Sequence, residues 1–411
     1  MPGGKKGVRL SGFVVKNILV IGAAESCLGM IKAIQRKGHR ALVVGTSSDQ
    51  PGFNIADVSL LCEDGDVEKT VEFGIQQQAD GIVPTPVDRT LAWQAEVAKR
   101  LNLIFIPPER IPNFRHKYTQ KQALKRAGIP CAEGYLWQGS KAWEYEAEKL
   151  GYPLVCKPID GYASRGVCKC DNKADLEKFI TEARAFSSDG RVILEEFMEG
   201  QEFNAEGVFL RGRTYVYALV EKISDPFPYT VEMGHIIPPA ISEEDKAQLG
   251  NLASKAARAL GLENGAFNIE LKLEKGEARI VEVNGRLAGD FIISHLLKPS
   301  TGLDMEEAVV DIALGREPVF ENNKPDNCGI VRFFNLPAGK RIIKVPDLEA
   351  TIRQRNLIWA KSFYAVGDLV PAVTHMGQRS GFVILVAQNR EAMFRATDDA
   401  IREIVAGFEL A

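Results

Sequence analysis

The sequence predicts a multidomain protein that combines an α/β region with α+β regions. Its 411 residues exceed the length that one hydrophobic core usually serves, so two or three domains are expected. Short apolar runs alternate with helical stretches up to about residue 110, which is the pattern of a parallel sheet. Two later apolar runs, at 266–273 and 278–284, are separated by a short turn, as in a pair of antiparallel strands.

The first region is expected to be a Rossmann-like domain over residues 17–110. Its apolar runs are ILVIG at 18–22, ALVVG at 41–45 and GIVPT at 81–85. The turn at residues 22–29 lacks the GxGxxG spacing, and no acidic residue closes the second strand. We therefore favour a structural turn over a dinucleotide site, which argues against a dehydrogenase. Residues 1–16 are expected to form a flexible tail.

The rest of the chain is expected to form a central domain over residues 111–320 and a C-terminal α+β domain over residues 325–411. Proline and asparagine cluster at 318–327, which is typical of a linker. The other predicted helices and strands lie at 117–130, 153–157, 192–197, 244–260, 304–314 and 390–406.

Composition excludes several classes of protein. The net charge is −3 and no basic stripe is present, so no nucleic-acid partner is expected. No apolar run reaches the roughly 20 residues of a membrane-spanning helix. Seven cysteines without CxxC spacing do not indicate a disulfide framework. We therefore expect a cytoplasmic protein that does not bind membranes.

The sharpest chemical signal is the pair of strands in GAFNIELKLEKGEARIVEVNGR. A three-residue loop at 275–277 would place Glu270 directly opposite Glu282. Asn284 shares the face of Glu282 by strand alternation, whereas Val281 faces the other way. Two carboxylates and an amide carbonyl suit Mg²⁺, which prefers oxygen ligands. The alternative is a solvated face, but directly opposed like charges are destabilising without a cation.

Two further stretches could hold a nucleotide. In PLVCKPIDGYASRGV, Lys157 ends an apolar strand, where its charge needs a partner. The glycine-bearing loop after it contains Arg165 and offers backbone N–H groups to phosphates, although such loops are also common turns. In VILEEFMEGQEF, a strand leaving its edge could offer main-chain groups to an adenine, with Glu202 on the ribose. Taken alone, Glu195 and Glu196 would more often be surface charges at a strand end.

Taken together, these motifs resemble the ATP-grasp superfamily. A helical lysine, a KP strand end, a glycine loop, LEEFMEGQE and E…EVNGR follow in the order of that family, over about residues 107–320. The segments EMGH at 232–235, EVNGRLAGDFIISHLLKPSTGLD and GIVRFFNLPAGK resemble the L-amino acid ligase branch and extend the likeness over almost the whole chain. The resemblance implies a central ATP-grasp domain over residues 111–320, with a lid over about residues 131–198.

The resemblance also implies a role for each ATP-binding residue. The implied ATP contacts are Lys117, Lys157, Ser164, Arg165, Gly166, Glu195, Glu196, Phe197, Met198 and Glu202. The two lysines would hold the phosphates under a lid loop at residues 160–166. The main-chain oxygen of Glu195 and nitrogen of Met198 would meet the adenine, with Glu202 on the ribose.

The resemblance implies two Mg²⁺ ions, with Mn²⁺ able to substitute for them. Glu270, Glu282 and Asn284 would hold these ions, and Glu282 would bridge them. Arg286 would stabilise the negative charge that develops on the acyl-phosphate and on the tetrahedral intermediate. Two cations, two lysines and an arginine would supply the positioning and charge neutralisation that phosphoryl transfer requires.

The substrate residues are less clearly marked. Glu232 and His235 match the spacing of an acid and a histidine that hold the substrate in the amino acid ligase branch, but a surface loop remains an equal alternative. Gly289 and Asp290 follow Arg286 at a position where some members of the branch carry a bulky aromatic. A carboxylate at Asp290 would give a more polar pocket, one that selects a cationic group.

The leading hypothesis is an ATP-dependent ligase that activates a carboxylate as an acyl-phosphate and joins it to an amine. Its partners would be small molecules, and the resemblance implies that these are amino acids. A homodimer is possible, but nothing in the sequence decides for or against it. The alternative within the superfamily is a carboxylase or purine-type ligase that uses bicarbonate or a nucleotide amine. A non-catalytic nucleotide-binding module is disfavoured, because the metal ligands, phosphate lysines and arginine are all retained.

Overall fold

The computed structural model describes residues 14–139, 143–225, 227–319 and 327–411. Most of the predicted tail, residues 1–13, and most of the predicted linker, residues 320–326, lie outside the described residues. Within the described ranges, no helix combines the length and the apolar character that crossing a membrane requires.

The N-terminal unit is a four-stranded parallel sheet with helices around it, as the alternating pattern predicts. Its elements are β1 (Asn17–Ile21), α1 (Leu28–Arg36), β2 (Arg40–Gly45), β3 (Val58–Leu61), α2 (Val67–Gln76), β4 (Gly81–Val83) and α3 (Leu91–Arg100). The strand order is β3-β2-β1-β4, with every neighbouring pair parallel. The tail prediction is wrong for Lys16, because its Nζ lies 2.7 Å from Asp80 Oδ1.

Two short helices connect this unit to the next sheet, namely α4 (Pro112–Arg115) and α5 (Lys117–Arg126). The His116 side chain caps α5 by accepting a hydrogen bond from the Thr119 backbone N–H. Gly128, at φ +68°, follows the end of the helix, where the left-handed conformation favours glycine. This arrangement fixes Lys117 at the first turn of α5.

A second, small sheet stands on its own core, and we call it the small-sheet unit. Its elements are β5 (Gly134–Trp137), α6 (Trp143–Leu150), β6 (Leu154–Pro158), β7 (Cys168–Cys170), α7 (Lys173–Ala185) and β8 (Val192–Glu196). The strands are antiparallel in the order β5-β8-β6-β7. Its buried core includes Trp137, Cys156, Cys168, Phe179 and Leu194. The unit occupies the range of the predicted lid.

The main sheet has eight antiparallel strands. Its central part comprises β9 (Gln201–Leu210), β10 (Arg213–Ser224), β11 (Glu232–Ile237), α8 (Glu243–Ala259), β12 (Gly265–Glu274), β13 (Glu277–Asn284), α9 (Lys298–Thr301) and α10 (Met305–Ala313). The C-terminal part adds β14 (Cys328–Phe334), β15 (Ile342–Lys344), α11 (Leu348–Arg355), β16 (Trp359–Ser362), β17 (Gly381–Ala387), α12 (Arg390–Ala406) and β18 (Glu409–Leu410).

The C-terminal part is less separate than the sequence predicts. The main sheet runs in the order β13-β12-β9-β10-β11-β14-β17-β16, so three C-terminal strands continue the central ones. The junction is the antiparallel pair β11–β14, in which Ile236 lies opposite Ile330. This pairing satisfies the main-chain groups that β11 would otherwise expose as an edge strand. The C-terminal part is therefore joined to the central part by one continuous sheet.

The β12–β13 hairpin has the predicted register at its functional end but not at its turn. Glu270 lies opposite Glu282, as predicted, but Glu274 pairs with Glu277, so the loop has two residues instead of three. A bulge between Glu270 and Leu271 accounts for the difference, because Val281 is the extra residue of β13. Val281 consequently lines the cavity described below and does not face away from it, contrary to the prediction.

Candidate active site

One cavity of about 920 Å³ lies between the small-sheet unit, the main sheet and the loops of the N-terminal unit. We call it the central cavity. Its lining includes every predicted site residue except Arg165 and Gly166. The predicted residues that line it are Lys117, Lys157, Ser164, Glu195, Glu196, Phe197, Met198, Glu202, Glu232, His235, Glu270, Glu282, Asn284, Arg286, Gly289 and Asp290.

Two buried lysines enter the cavity from opposite walls. Lys117 Nζ lies 2.9 Å from Glu282 Oε1 and donates to the Gly161 carbonyl oxygen at 2.9 Å. Lys157, on β6, lies 2.8 Å from Glu195 Oε2. Burial alone would lower the pKa of Lys157, but the carboxylates of Glu195 and Glu282 outweigh it and raise the pKa above its ordinary value. Lys157 is therefore kept charged although its side chain is almost wholly buried.

The Glu195 side chain is buried and is not the surface charge that a strand end would predict. Its carboxylate lies between Lys157 and Lys121, with Lys121 Nζ 3.2 Å from Oε1. Burial lowers the pKa of Lys121, against the attraction of Glu195. Sequence reasoning missed Lys121, although it stands one helical turn after Lys117 on α5. Glu196 is partly buried and pairs with Arg279 on β13.

The loop between β6 and β7 bends sharply beside the cavity. Ala163 and Ser164 adopt left-handed φ angles of +55° and +56°. Arg165 does not line the cavity, and its guanidinium lies 4.9 Å from the centre of the Tyr162 ring. Gly166 has φ +68°, and an added Cβ would lie 3.0 Å from the Ala183 backbone. Arg165 and Gly166 therefore do not line the central cavity in this structure, since one stacks on the loop and the other serves the turn, and their contact with ATP stays a prediction.

Beside this loop, aromatic and apolar side chains form a wall of the cavity, with the Lys272 ammonium over one of the rings. Phe197 packs edge-to-face on Phe227, with ring centroids 5.1 Å apart. Lys272 Nζ lies 4.8 Å from the Phe197 ring centroid and donates to the Met198 carbonyl oxygen at 2.7 Å. Such a flat, partly apolar wall beside a strand end suits a planar heterocycle. Sequence reasoning did not identify Lys272.

A lysine that sequence reasoning missed joins three of the predicted carboxylates. Lys222 Nζ lies 2.5 Å from Glu202, 2.7 Å from Glu232 and 3.1 Å from Glu270. Burial would lower the pKa of Lys222, but these carboxylates raise it well above its ordinary value. The signal in the sequence is a lysine two residues after buried Val220 on β10, which strand alternation turns to the same face.

The predicted metal ligands have the donors that a hard cation requires. Asn284 Nδ2 donates to Asn268 Oδ1 at 3.2 Å, and Asn268 Nδ2 donates to Glu206 Oε1 at 2.6 Å. Because the Asn284 amide nitrogen is used in this way, its carbonyl oxygen is left for the cavity. Burial and the neighbouring carboxylates raise the pKa of Glu270 to about 7, despite Lys222. The carboxylates of Glu202, Glu232 and Glu270 thus share a single lysine and are short of positive charge. An added Mg²⁺, which prefers oxygen ligands, fits this position.

The far end of the cavity carries an ion pair between units and a cluster of polar side chains around His235. Arg286 Nε lies 2.5 Å from Asp88 Oδ1, in the loop after β4. His235 Nε2 lies 3.2 Å from Asp290 Oδ2 and 3.5 Å from Glu232 Oε2. The structure thus brings Glu232, His235 and Asp290 together on β11 and the segment after β13, so the surface-loop alternative is wrong. Asp88 was not identified from the sequence.

Asp290 does not offer a free charge. Arg379 donates two hydrogen bonds to its carboxylate, at 2.8 and 2.7 Å. Burial alone would raise the pKa of Asp290, but Arg379 and His235 lower it well below its ordinary range. The expectation that Asp290 selects a cationic group is therefore not supported by this geometry, because an internal cation already neutralises the carboxylate.

Comparison with known proteins places these features in a family. The ATP-grasp domain family matches residues 150–294. Alanine–anticapsin ligase from Bacillus subtilis (strain 168) is 27% identical over 269 residues, which cover 60% of this chain and 56% of that protein. D-Alanine–D-alanine ligase from Desulforudis audaxviator (strain MP104C) is 32% identical over 271 residues, covering 61% of this chain and 79% of the ligase.

The fold extends the likeness over nearly the whole chain. The crystal structure of an L-amino acid ligase from Bacillus licheniformis matches with a TM-score of 0.80 and 23% identity, covering 96% of this chain and 98% of that one. By contrast, the sequence match spans little more than half the length of the alanine–anticapsin ligase. The shared domain, the D-alanine–D-alanine ligase match and the common fold lead to one conclusion: this chain belongs to the ATP-grasp family of ATP-dependent ligases.

Proposed function

We propose that this protein uses ATP to activate the carboxylate of an amino acid and couples it to an amine, releasing ADP and phosphate. The observation that carries the proposal is the convergence of two buried lysines, Lys117 and Lys157, with the opposed carboxylates Glu270 and Glu282 in one cavity. Arg286 lines the same cavity, toward its far end.

The nucleotide would lie between the small-sheet unit, which we propose is the lid, and the main sheet. Its adenine would rest against the wall formed by Phe197 and Met198, and its ribose would meet Glu202. Lys117 and Lys157 would hold the phosphates, and closure of the loop over them would exclude the water that hydrolyses an acyl-phosphate. Mg²⁺ held by Glu270, Glu282 and Asn284 would supply charge neutralisation for the transferring phosphoryl group, and Mn²⁺ would serve in its place.

The chemistry then proceeds in two displacements. A substrate carboxylate oxygen attacks the γ-phosphorus, the bond to the β–γ bridging oxygen breaks, and ADP leaves. The amine attacks the carbonyl carbon of the acyl-phosphate and loses a proton, and phosphate leaves with one oxygen of the original carboxylate. Arg286 would stabilise the negative charge of both intermediates. No side-chain nucleophile is required.

An amino acid substrate is favoured by the far end of the cavity. Glu232, His235 and Arg286 line this end together, and an amine and a carboxylate on one substrate would share Glu232 and Arg286 with their internal partners Lys222 and Asp88. The similarity to two ligases whose names specify alanine or D-alanine supports the same substrate class. A carboxylase or purine-type ligase shares the phosphate chemistry and is separated from the proposal by experiment.

The test is ADP release with Mg²⁺-ATP across a matrix of paired amino acids, with mass spectrometry of the products. The proposal predicts ADP only with particular pairs, together with a product lighter than their sum by one water. Reactions that omit either amino acid serve as controls. ADP release that requires bicarbonate, with no response to any pair, would overturn the amino acid assignment in favour of carboxylase chemistry.

A further inference from the structure

Arg379 is a buried cation that the proposed chemistry does not use. It follows a short 3₁₀ turn, Met376–Gln378, and lies two residues before the start of β17. Besides its two bonds to Asp290, it donates to the main-chain oxygen of Glu232 at 2.9 Å and to that of Met376 at 2.9 Å. Its guanidinium carbon lies 3.5 Å from the centre of the Phe333 ring. These contacts hold the guanidinium in one orientation.

The partner of Arg379 lies in an unusual backbone segment. Asp290 and Phe291 have φ angles of +50° and +62°, a left-handed conformation that costs free energy in residues other than glycine. The next residues, Ile292–Leu297, form a π-helix, a rare geometry that often marks functional sites. The two hydrogen bonds from Arg379 therefore hold the Asp290 carboxylate in place where the backbone alone would not favour it.

The segment that carries Arg379 also contacts the loop beside the phosphate lysines. The Met376 backbone N–H donates to the Ala163 carbonyl oxygen at 3.2 Å. The His375 ring packs edge-on against Phe186, with centroids 6.1 Å apart. The C-terminal part of the molecule thus contacts both the phosphate loop and the wall of the substrate end.

Each of the two carboxylates on this wall lies against an internal cation. Glu232 lies 2.7 Å from Lys222, which Glu202 and Glu270 share, and Asp290 is paired with Arg379 alone among the described cations of Lys and Arg. His235 lies between these two carboxylates. Without Arg379, the Asp290 carboxylate would line the cavity without its cationic partner. Charge interactions are strong at such a buried site, so the unpaired carboxylate would attract a cation.

We propose that Arg379 is a positioning residue that sets substrate specificity by masking Asp290. This inference rests on the proposed ligase function and deepens it. With the mask in place, the pocket takes an amino acid whose side chain is uncharged at this wall. Removal of the mask exposes a carboxylate that recruits an ammonium or guanidinium group. The wall therefore chooses between neutral and cationic substrates through a residue that belongs to the C-terminal part.

The test compares kcat/KM for a basic amino acid, lysine, with that for norleucine, its uncharged analogue, when each replaces one member of the productive pair. Arg379→Met keeps the packing on Phe333 and should shift the ratio toward lysine by about tenfold or more. The double variant Arg379→Met/Asp290→Asn should return the ratio to within about threefold of wild type. The KM for ATP should change less than threefold in both variants.

Two further variants separate specificity from a merely structural effect. Lys361→Met removes another ion pair between units, with Glu25 and outside the cavity, and should leave the ratio unchanged. Arg379→Lys keeps the charge without the two-pronged bond, so it should raise the KM for the amino acids without favouring lysine. It also replaces Arg379→Met as the informative variant if the latter does not fold, because a shift toward lysine in Arg379→Lys would overturn the proposal.

The outcomes distinguish this proposal from the one on which it rests. Wild-type protein that couples no pair of amino acids overturns both. Wild-type protein that couples a pair, with Arg379→Met slowing lysine and norleucine equally, leaves the ligase function intact and overturns the masking role. A shift toward lysine that persists in the double variant also overturns it, because Asp290 would then not be the recruiting group.

Discussion

The two ends of the central cavity are assembled in different ways. At the proposed nucleotide end, Lys157 on β6 pairs with Glu195 on the neighbouring strand β8, and Lys117 on α5 pairs with Glu282 on β13. At the substrate end, ion pairs form between units far apart in the chain, as with Asp290 and Arg379. The proposed nucleotide end is therefore held by ion pairs within residues 117–282, whereas the proposed substrate wall also depends on how the N-terminal and C-terminal parts dock.

The largest expected effect lies at the nucleotide end. Glu282→Gln replaces a carboxylate paired with Lys117 by a neutral isostere, so kcat should fall by about 10²–10³-fold or more while the melting temperature stays near that of wild type. Steady-state ADP release and thermal unfolding measure the two quantities. Mn²⁺ affinity, followed by electron paramagnetic resonance, should weaken in parallel.

Glu277→Gln is the matched control for this variant, since it makes the same change at the exposed start of the same strand. It should leave both kcat and Mn²⁺ affinity unchanged. Near-normal turnover in Glu282→Gln with unaltered Mn²⁺ binding would remove Glu282 from the metal site.

Lys222→Met tests whether the cation at the junction of the two ends holds them together. It leaves Glu202, Glu232 and Glu270 without their shared partner, so stability should fall by about 3–5 kcal/mol. Denaturant unfolding measures the loss, and Mg²⁺ should restore part of it by binding the freed carboxylates. Lys246→Met, which breaks an exposed pair with Glu243, should cost less than about 1 kcal/mol. Equal losses in the two variants would contradict the central role of Lys222.

A buried carboxylate outside the cavity sharpens the contrast with these paired groups. Burial and Asp304 raise the pKa of Glu306, on α10, to about 7 from an ordinary value of 4.5. The folded state therefore favours the protonated form of Glu306. The stability that this protonation contributes is full below about pH 4.5 and is lost as the pH rises through about 7.

Glu306→Gln should consequently stabilise the protein at pH 8 by about 1–3 kcal/mol and have little effect at pH 4.5. Urea unfolding at the two pH values provides the measurement. A pH-independent change, or destabilisation at pH 8, would show that the ionised carboxylate is not costly in the folded protein.

The smallest effect is expected at Arg165, which the sequence placed among the phosphate ligands and the structure turns toward Tyr162. Arg165→Ala should change the KM for ATP by less than about threefold, because the side chain does not line the cavity. The KM from initial rates is the measurement. A tenfold increase would mean that the loop brings Arg165 onto the nucleotide during turnover.

The fold class and most of the nucleotide end could be predicted from the sequence because their signals are local. Strand alternation placed Glu282 and Asn284 on one face, and the short turn placed Glu270 opposite Glu282. The turn length itself was wrong, since a bulge at Val281 compensates for a shorter loop. Bulges leave no distinctive composition in a single sequence, so the error was not avoidable by pattern alone.

The missed residues share a different physical origin. Arg379 reaches Asp290 across 89 residues of sequence, through docking of the C-terminal strands onto β11. Lys222 meets carboxylates from three strands, and no local spacing encodes such a convergence. Asp290 carries the predicted negative charge, but the carboxylate is not free to bind a substrate cation. Its partner Arg379 lies in another part of the chain and could not be identified from local sequence.

The measurement that tests the ligase chemistry most directly follows the oxygen atoms of the substrate carboxylate. A productive amino acid carrying ¹⁸O in both carboxylate oxygens is incubated with its partner and Mg²⁺-ATP, and the released phosphate is analysed by mass spectrometry. Activation as an acyl-phosphate predicts one ¹⁸O atom in each phosphate, with the other retained in the amide. Unlabelled phosphate, formed with an oxygen from water, would contradict carboxylate activation and identify the reaction as ATP hydrolysis.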